Sequence, residues 1–439
     1  MEIVLLILQV VLGLLFLVAG LGKLANVPQI RDMFSALGYP RWFRVVTGVV
    51  EVIGAVALFA SIAIPLLAFF AAVWLALIMV GAFLSLVLRV QGRGWFAPVI
   101  VLFLLVGVAF LQPMGLLIAL IPPQAATTYS PVPSEIVASH EYGSFLESVQ
   151  VDSTGNIYYT NISGIAPVES IGVVDMSSAD GFIHQITPDG ESRVWASLPK
   201  GTLPNVIALT DDAMFVTVSS TVTPEHHGVW RFSLDGQGES LVTLPQDVYP
   251  NGITVGPDGK LYIADSALGR IWQVDPANQK AELWLDDDVL KPRRFVAIGP
   301  AANGLEFWNN DLYVAVTDKS HIVRIPLNDD GTPGTPNIHV TGIVGDDFAI
   351  DQDGALYVTT HPFNTVVRVS QTGELTIIAG EEEGVVGSTD AAFSILPGQE
   401  QILYVATDGG LSEGRSDGTA HIVRLDVGEG SQAEAIETN

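Results

Sequence analysis

The sequence predicts a membrane-embedded, all-α four-helix bundle followed by an all-β six-bladed β-propeller. Three observations predict it. Four apolar stretches fill residues 1–122, and a strand pattern returns six times after residue 135. The charge also divides at that boundary: residues 1–122 hold six basic and three acidic side chains, and the remainder holds 14 basic and 44 acidic ones.

The apolar stretches run roughly Ile3–Leu21, Val45–Ala60, Pro65–Leu88 and Trp95–Ile121. Each is near the ~20 apolar residues that a helix needs to cross a bilayer, the second at the short end. The first lacks a basic leader and a small-residue cleavage site, so it reads as a retained span rather than a signal peptide. Lys23, Arg31, Arg41 and Arg44 follow the first span, and Arg89 and Arg93 follow the third. Basic residues in short loops mark the cytoplasmic side, which puts the acidic remainder outside an integral (plasma or inner) membrane protein. Glu51 is the one acid well inside a span, expected near its cytoplasmic end. It is either an interfacial residue or a functional intramembrane carboxylate.

These spans, with GLLFLVAGLGKL at residues 13–24, resemble the DoxX-like family of small four-helix membrane proteins. The resemblance covers about residues 1–120 and implies a link to thiosulfate–quinone redox or thiol-stress complexes. No histidine lies in the spans to hold a haem. The simplest role of this half is a lipid-bilayer anchor.

Residues 123–134, rich in Pro, Thr and Ser, read as a semi-extended spacer. The net charge of −27 is concentrated after it, which excludes nucleic acid as a partner. The absence of cysteine excludes disulfides, thiolate metal sites and cysteine nucleophiles.

Over residues 135–427 a strand recurs as IYYTN, MFVTV, LYIAD, LYVAV, LYVTT and LYVAT, each followed by a second such as VWRFS or IVRLD. Another strand precedes each copy, starting at Glu147, Asn205, Asn251, Asn303, Asp346 and Thr389. Apolar residues fall two and four positions later in all six, as Ile253 and Val255 do in the third, which is strand alternation. Units of 43 to 58 residues with Asp-Gly turns describe propeller blades. A fourth strand follows in every copy but the last, and 428–439 reads as a disordered tail. The strand-like EIVASHE at 135–141 is expected to close the ring as the sixth blade's outer strand, removing an unpaired edge.

Innermost strands line a propeller's channel, so their six first residues converge at one mouth. Side-chain oxygens dominate there, including the carboxylates of Glu147 and Asp346, with no imidazole or sulfur in the ring. Such a set selects Ca²⁺, or another hard divalent cation such as Mg²⁺, over zinc. The competing reading is that Asn251-Gly252 and Asn303-Gly304 are only turns. It leaves Glu and Asp in the same register unexplained. Among residues ending the second strands, His361 is the single histidine, either a proton-transfer group or a loop cap.

PNGITVGPDGKLYIADS, followed by DDFAIDQDGALYV, resembles the senescence-marker-protein/gluconolactonase/regucalcin family and, more distantly, the paraoxonases. The resemblance covers about residues 135–426. It implies a Ca²⁺-dependent hydrolase of lactones or related esters. By it Glu147, Asn303 and Asp346 are the main metal ligands, Asn251 is a fourth ligand or a substrate contact, and Asp347 is a further polar ligand. Asp346 is then the general base. Asn205 stands where paraoxonases have histidine, and suits substrate hydrogen bonding. Two alternatives remain: a non-catalytic, Ca²⁺-stabilised binding propeller, and a membrane redox-complex subunit acting through the helical half.

Overall fold

The computed structural model describes residues 2–61, 66–89, 96–110, 124–165, 179–220, 222–293, 299–412, 415 and 418–428. The expected tail, 429–439, therefore lies outside the described residues, as does the end of the fourth stretch. The chain divides into a helical unit and a β unit, described separately below.

The helical unit contains α1 (Glu2–Leu24), α2 (Pro28–Ala36), α3 (Arg41–Ala60), α4 (Leu66–Arg89) and α5 (Phe96–Phe110). Three of these, α1, α3 and α4, are long and apolar enough to cross a membrane; α5 is a shorter apolar helix of 15 residues. Leu12, Phe16, Leu58, Leu75 and Leu105 form the buried centre of this unit. Small residues set the approach of α1 to α3, since a Cβ at Gly20 would meet Gly48 O at 2.8 Å.

Two sequence expectations change here. The second span begins at Arg41 rather than Val45, so Lys23 and Arg44 belong to helices and not to the loop between them. Glu51 accordingly lies in the middle of α3, buried and ion-paired to Lys23, while the Arg44 guanidinium donates to Lys23 O. The basic side chains themselves disguised the helix start. Between the two spans α2 forms unannounced, with Pro28 in its first turn, where a missing N–H costs nothing.

The β unit is a ring of six sheets. Inner strands are Val149–Val151, Leu203–Leu209, Pro250–Val255, Ala302–Trp308, Phe348–Ile350 and Ser388–Phe393 for blades one to six. Each pairs antiparallel with the recurring LYV-type strand of its own blade. The repeated aromatic fills the space between neighbouring sheets; Tyr262, fully buried, packs edge-on against Phe307 of the next blade.

The ring closes as expected. Ser134–His140 pairs antiparallel with Ala420–Asp426 as the outer strand of blade six, Ser134 opposite Leu425 and His140 opposite Ala420. The segment before it is docked rather than free. Ala125 N donates to Gly342 O at 2.8 Å, Thr128–Tyr129 pairs parallel with the outer strand of blade five, and Val132 N donates to Ile378 O. Ala126 is buried among blade-four and blade-five side chains. The Pro-, Thr- and Ser-rich composition matches a spacer, yet its backbone donors find sheet-edge acceptors.

Hydroxyls stitch the blades in sequence. Thr160 donates to Asn205 O, Thr217 to Asn251 O, Ser266 to Ala302 O, Thr317 to Gly345 O, Thr359 to Thr389 O and Thr389 to Leu146 O, all within 2.5–2.8 Å. Each fixes the start of the next inner strand, and so the position of the side chains at the mouth.

Candidate functional site

The register of blades two, three, four and six slips at the entrance of the inner strand, between Pro204 and Ile207, Pro250 and Ile253, Ala302 and Leu305, and Ser388 and Asp390. A bulge of this kind adds a residue without a partner and re-aims side chains. The glycines of the two Asn-Gly pairs serve close approach, not a left-handed turn. Neither has a positive φ. A Cβ on Gly252 would lie 2.4 Å from Asn303 O, and one on Gly304 would lie 2.1 Å from Asp347 Oδ1.

A continuous polar chain results. Asn251 Nδ2 donates to Asn303 Oδ1, and Asn303 Nδ2 donates to Asp346 Oδ1, both at 2.5 Å. Asn303 is also held by Thr317 Oγ1 at 3.1 Å. His361 then bridges two carboxylates, with Nδ1 3.2 Å from Asp346 Oδ2 and Nε2 3.0 Å from Asp408 Oδ2. Asp408 is buried and accepts from Gly410 N at 2.7 Å and Ser412 N at 2.9 Å. Phe145 lies edge-on to the imidazole, ring centres 6.0 Å apart.

The electrostatics are those of crowded acids around one imidazole. Burial alone would lower the His361 pKa, but the Asp408 and Asp346 carboxylates outweigh it and raise it well above the usual value. Burial likewise opposes ionisation of Asp408, yet His361 and the backbone donors hold its pKa below the ordinary range. The Glu147 pKa is raised well above normal, first by burial and then by Asp346, with His361 pulling the other way. Glu147 is thus within electrostatic reach of the chain described above.

The structure brings Asn251, Asn303, Asp346 and His361 together, and the Glu147 carboxyl couples to Asp346 and His361 electrostatically. Three other residues are placed differently. The Asn205 amide donates to Ser219 Oγ at 2.9 Å and Pro250 O at 2.6 Å, and the residue is buried. Thr389 spends its hydroxyl on Leu146 O and Ala406 O. Asp347 accepts from Phe348 N at 2.8 Å and lines a channel cavity of about 150 Å³ with Asp390, Glu306, Gln150 and Thr254. Burial and the Asp390 carboxylate raise its pKa well above normal, and burial pushes Asp390 up to about 7.

Asp408 is a strand-end candidate in the sequence, without a role there, and Tyr249 is not marked by it. Asp408 stands where the other blades end their second strands, but only contact with His361 gives it a role. Tyr249, just before the Pro-Asn-Gly run, is 38 % exposed. Burial and then the Glu147 carboxylate raise its pKa.

The donor set suits a hard divalent cation. Among the described residues no three His, Asp or Glu side chains form a ready metal cluster. A cation at the mouth would therefore be held by a mixed set, the Glu147 and Asp346 carboxylates with the Asn251 and Asn303 carboxamide oxygens, a composition typical of calcium. A half-turn of a carboxamide exchanges its oxygen for its nitrogen, and at the Asn303–Asp346 contact that exchange needs a cation between two oxygens. The surplus of acids over the single imidazole favours one in the same way.

Residues 7–108 match the sequence model of the DoxX-like family. No curated protein matches the chain. Solved structures similar to it include a luciferin-regenerating enzyme at 16 % identity, covering 69 % of this chain and 98 % of that one with a TM-score of 0.50. A putative gluconolactonase matches at 14 % identity, covering 72 % and 100 % with a TM-score of 0.50. Regucalcin from Agrobacterium tumefaciens matches at 14 % identity, covering 71 % and 100 % with a TM-score of 0.47. At these identities the likeness to the first two establishes the propeller fold.

Proposed function

We propose that the propeller is a divalent-cation-dependent hydrolase of lactones or related esters, with calcium the natural cation. The DoxX-like helices anchor it in the membrane, and the propeller lies on the extracytoplasmic side. The observation that carries the reading is the constellation of Glu147, Asn303 and Asp346 at the channel mouth, with Asp346 gripped by a histidine that Asp408 in turn orients. A structural or docking propeller has no need of such a reachable acid–imidazole pair beside a cation site. The name of one neighbour, a putative gluconolactonase, points to the same chemistry.

A bound cation would polarise the substrate carbonyl and stabilise the oxyanion that forms on it. The chain supplies the proton handling. Asp346 is the general base, taking a proton from the attacking water as the oxygen–carbon bond forms. Collapse of the tetrahedral intermediate breaks the ring C–O bond, and the departing alkoxide recovers that proton from Asp346. The product is a hydroxy acid. His361 holds Asp346 through Oδ2, which fixes the orientation of the carboxylate throughout. Asn251 is the substrate contact on this reading, and Asn205 can contribute only its carboxamide oxygen, since its N–H groups are engaged.

Orientation is supported by Arg31 in α2, Arg41 at the start of α3 and Arg89 at the end of α4, against no basic residue at Ser61–Ile64. The test of the activity is hydrolysis of a lactone panel by the full chain, with calcium and with chelator, for the native protein and Asp346→Ala. Chelator-sensitive turnover that disappears in the variant is expected; no such turnover on any lactone would end the proposal. The chain lacks cysteine, so single introduced cysteines in the propeller read the side of the membrane directly.

A further inference from the structure

A second polar cluster lies at the seam of the ring, between the closing strand and blade one. His140 ends the closing strand. Tyr159 and Asn161 belong to Ile157–Ser163, and His184 to Asp180–Ile186, both in blade one. The Asn161 amide nitrogen lies 3.3 Å from His140 Nδ1 and 3.4 Å from His184 Nε2. His140 Nε2 is 2.9 Å from Tyr159 Oη. The His140 and His184 rings meet edge to face at 4.9 Å, and Tyr159 stacks on His184 at 5.1 Å.

The hydrogen bonding fixes what these atoms are. One NH₂ group donates to both imidazole nitrogens, so each presents a lone pair at the same point. On the same carboxamide, Asn161 Oδ1 is buried with no hydrogen-bond partner. Asn161 is only 4 % exposed, which excludes it as a glycosylation acceptor in the folded chain. A buried amide oxygen without a partner is destabilising. Turning the amide over would direct that oxygen at the two imidazoles, three lone pairs on one point, an arrangement that a cation stabilises.

We propose that His140, His184 and Asn161 form a binding site for a borderline divalent transition-metal ion of the zinc, nickel or cobalt class, distinct from the cation site at the mouth. Neutral imidazoles prefer such ions to calcium. The rings are half-buried and so reachable, and water completes the coordination that three protein donors begin. Because His140 lies on the closing strand and its partners lie on blade one, a bound ion joins the last-placed strand of the ring to its first blade. Tyr159 Oη accepts from the His140 Nε2–H and so holds that ring in the required orientation. His421, opposite Ser139 on the paired strand, has its Nδ1 3.0 Å from Ser139 Oγ and is no ligand of this site.

The test uses the full chain in detergent with calcium at saturation, so the mouth is already occupied by the harder ion. Zinc or nickel chloride is expected to raise the unfolding temperature of the native protein and of His421→Ala and Asp346→Asn, and to leave His184→Ala unmoved. Should His184→Ala fail to fold, titration of the native chain with cobalt(II) decides the matter. A visible ligand-field band saturating at one ion per chain supports the site, and its absence overturns it. A thermal shift that persists in folded His184→Ala overturns it equally.

Discussion

Asp408 Oδ2 and His361 Nε2 lie 3.0 Å apart, on blades six and five, with the far side of the same imidazole 3.2 Å from Asp346. One ring thus ties the candidate base to a carboxylate that reaches no solvent. Replacing Asp408 by Asn removes the charge opposite Nε2 and faces the imidazole N–H and the Gly410 and Ser412 donors with an amide. We expect kcat for lactone hydrolysis to fall about 10²-fold with KM little changed, the signature of disturbed proton handling rather than lost binding. A pure rise in KM would contradict this role.

The same pair predicts a pH window for stability. His361 has a raised folded pKa, so its contribution is fully present below its unfolded value near 6.5 and is lost as pH climbs through the folded one. Asp408 has a depressed folded pKa, so its contribution is present above about 3.9 and is lost as pH falls through the folded one. The difference in melting temperature between the native chain and His361→Gln should therefore be largest between about pH 4 and 6.5 and shrink on the alkaline side. A difference that grows with rising pH would reverse the assignment.

Gly304→Ala places a methyl 2.1 Å from Asp347 Oδ1 and 2.5 Å from Asp347 Cα, so backbone must move as well as side chain. A loss of about 2–3 kcal/mol in denaturant unfolding is expected, from overpacking. Gly259, with φ +71° and nothing near its missing Cβ, is the control; Gly259→Ala should cost only about 1 kcal/mol, through backbone strain.

Calcium should raise the unfolding temperature of the β unit, because a ligand that binds only the folded state stabilises it, by about 2.7 kcal/mol at a hundredfold excess over Kd. Glu147→Gln, Asn303→Ala and Asp346→Asn should each diminish the shift, while Asn205→Ala should not. A calorimetric scan with and without chelator reads this directly.

Deleting residues 133–141 removes the strand paired with Ala420–Asp426 and reopens an edge in blade six. Cooperative melting of the propeller should be lost. A deletion variant that melts as one sharp transition would show the closing strand to be dispensable.

The blades were legible because their signal is periodic. Ile253 and Val255, Leu305 and Phe307, and their counterparts alternate as half-buried strands must, and the Asn-Gly-led starts align with them. The bulges were not legible. They follow from neighbouring strands meeting at the channel, and they decide that Asn251 and Asn303 face inward while Asn205 engages Ser219 and Thr389 engages Leu146 O. Asp408 was visible only as a strand-end acid, since its partner is 47 residues away in sequence. The start of α3 was hidden because charged Arg41 and Arg44 read as loop. The docking of Thr128–Tyr129 was hidden because two residues carry no period.

The lacing of residues 125–140 over blades four, five and six has a mechanical consequence. Tension arriving along the chain from the helical unit meets first the bond from Ala125 to Gly342, next the parallel pairing at Thr128–Tyr129, and then the Val132 bond to Ile378, before it reaches the closing strand. The load is shared in shear across two sheets rather than concentrated in peeling one strand from its neighbour. A protein drawn against a moving membrane would yield at these outer attachments while the ring stayed shut.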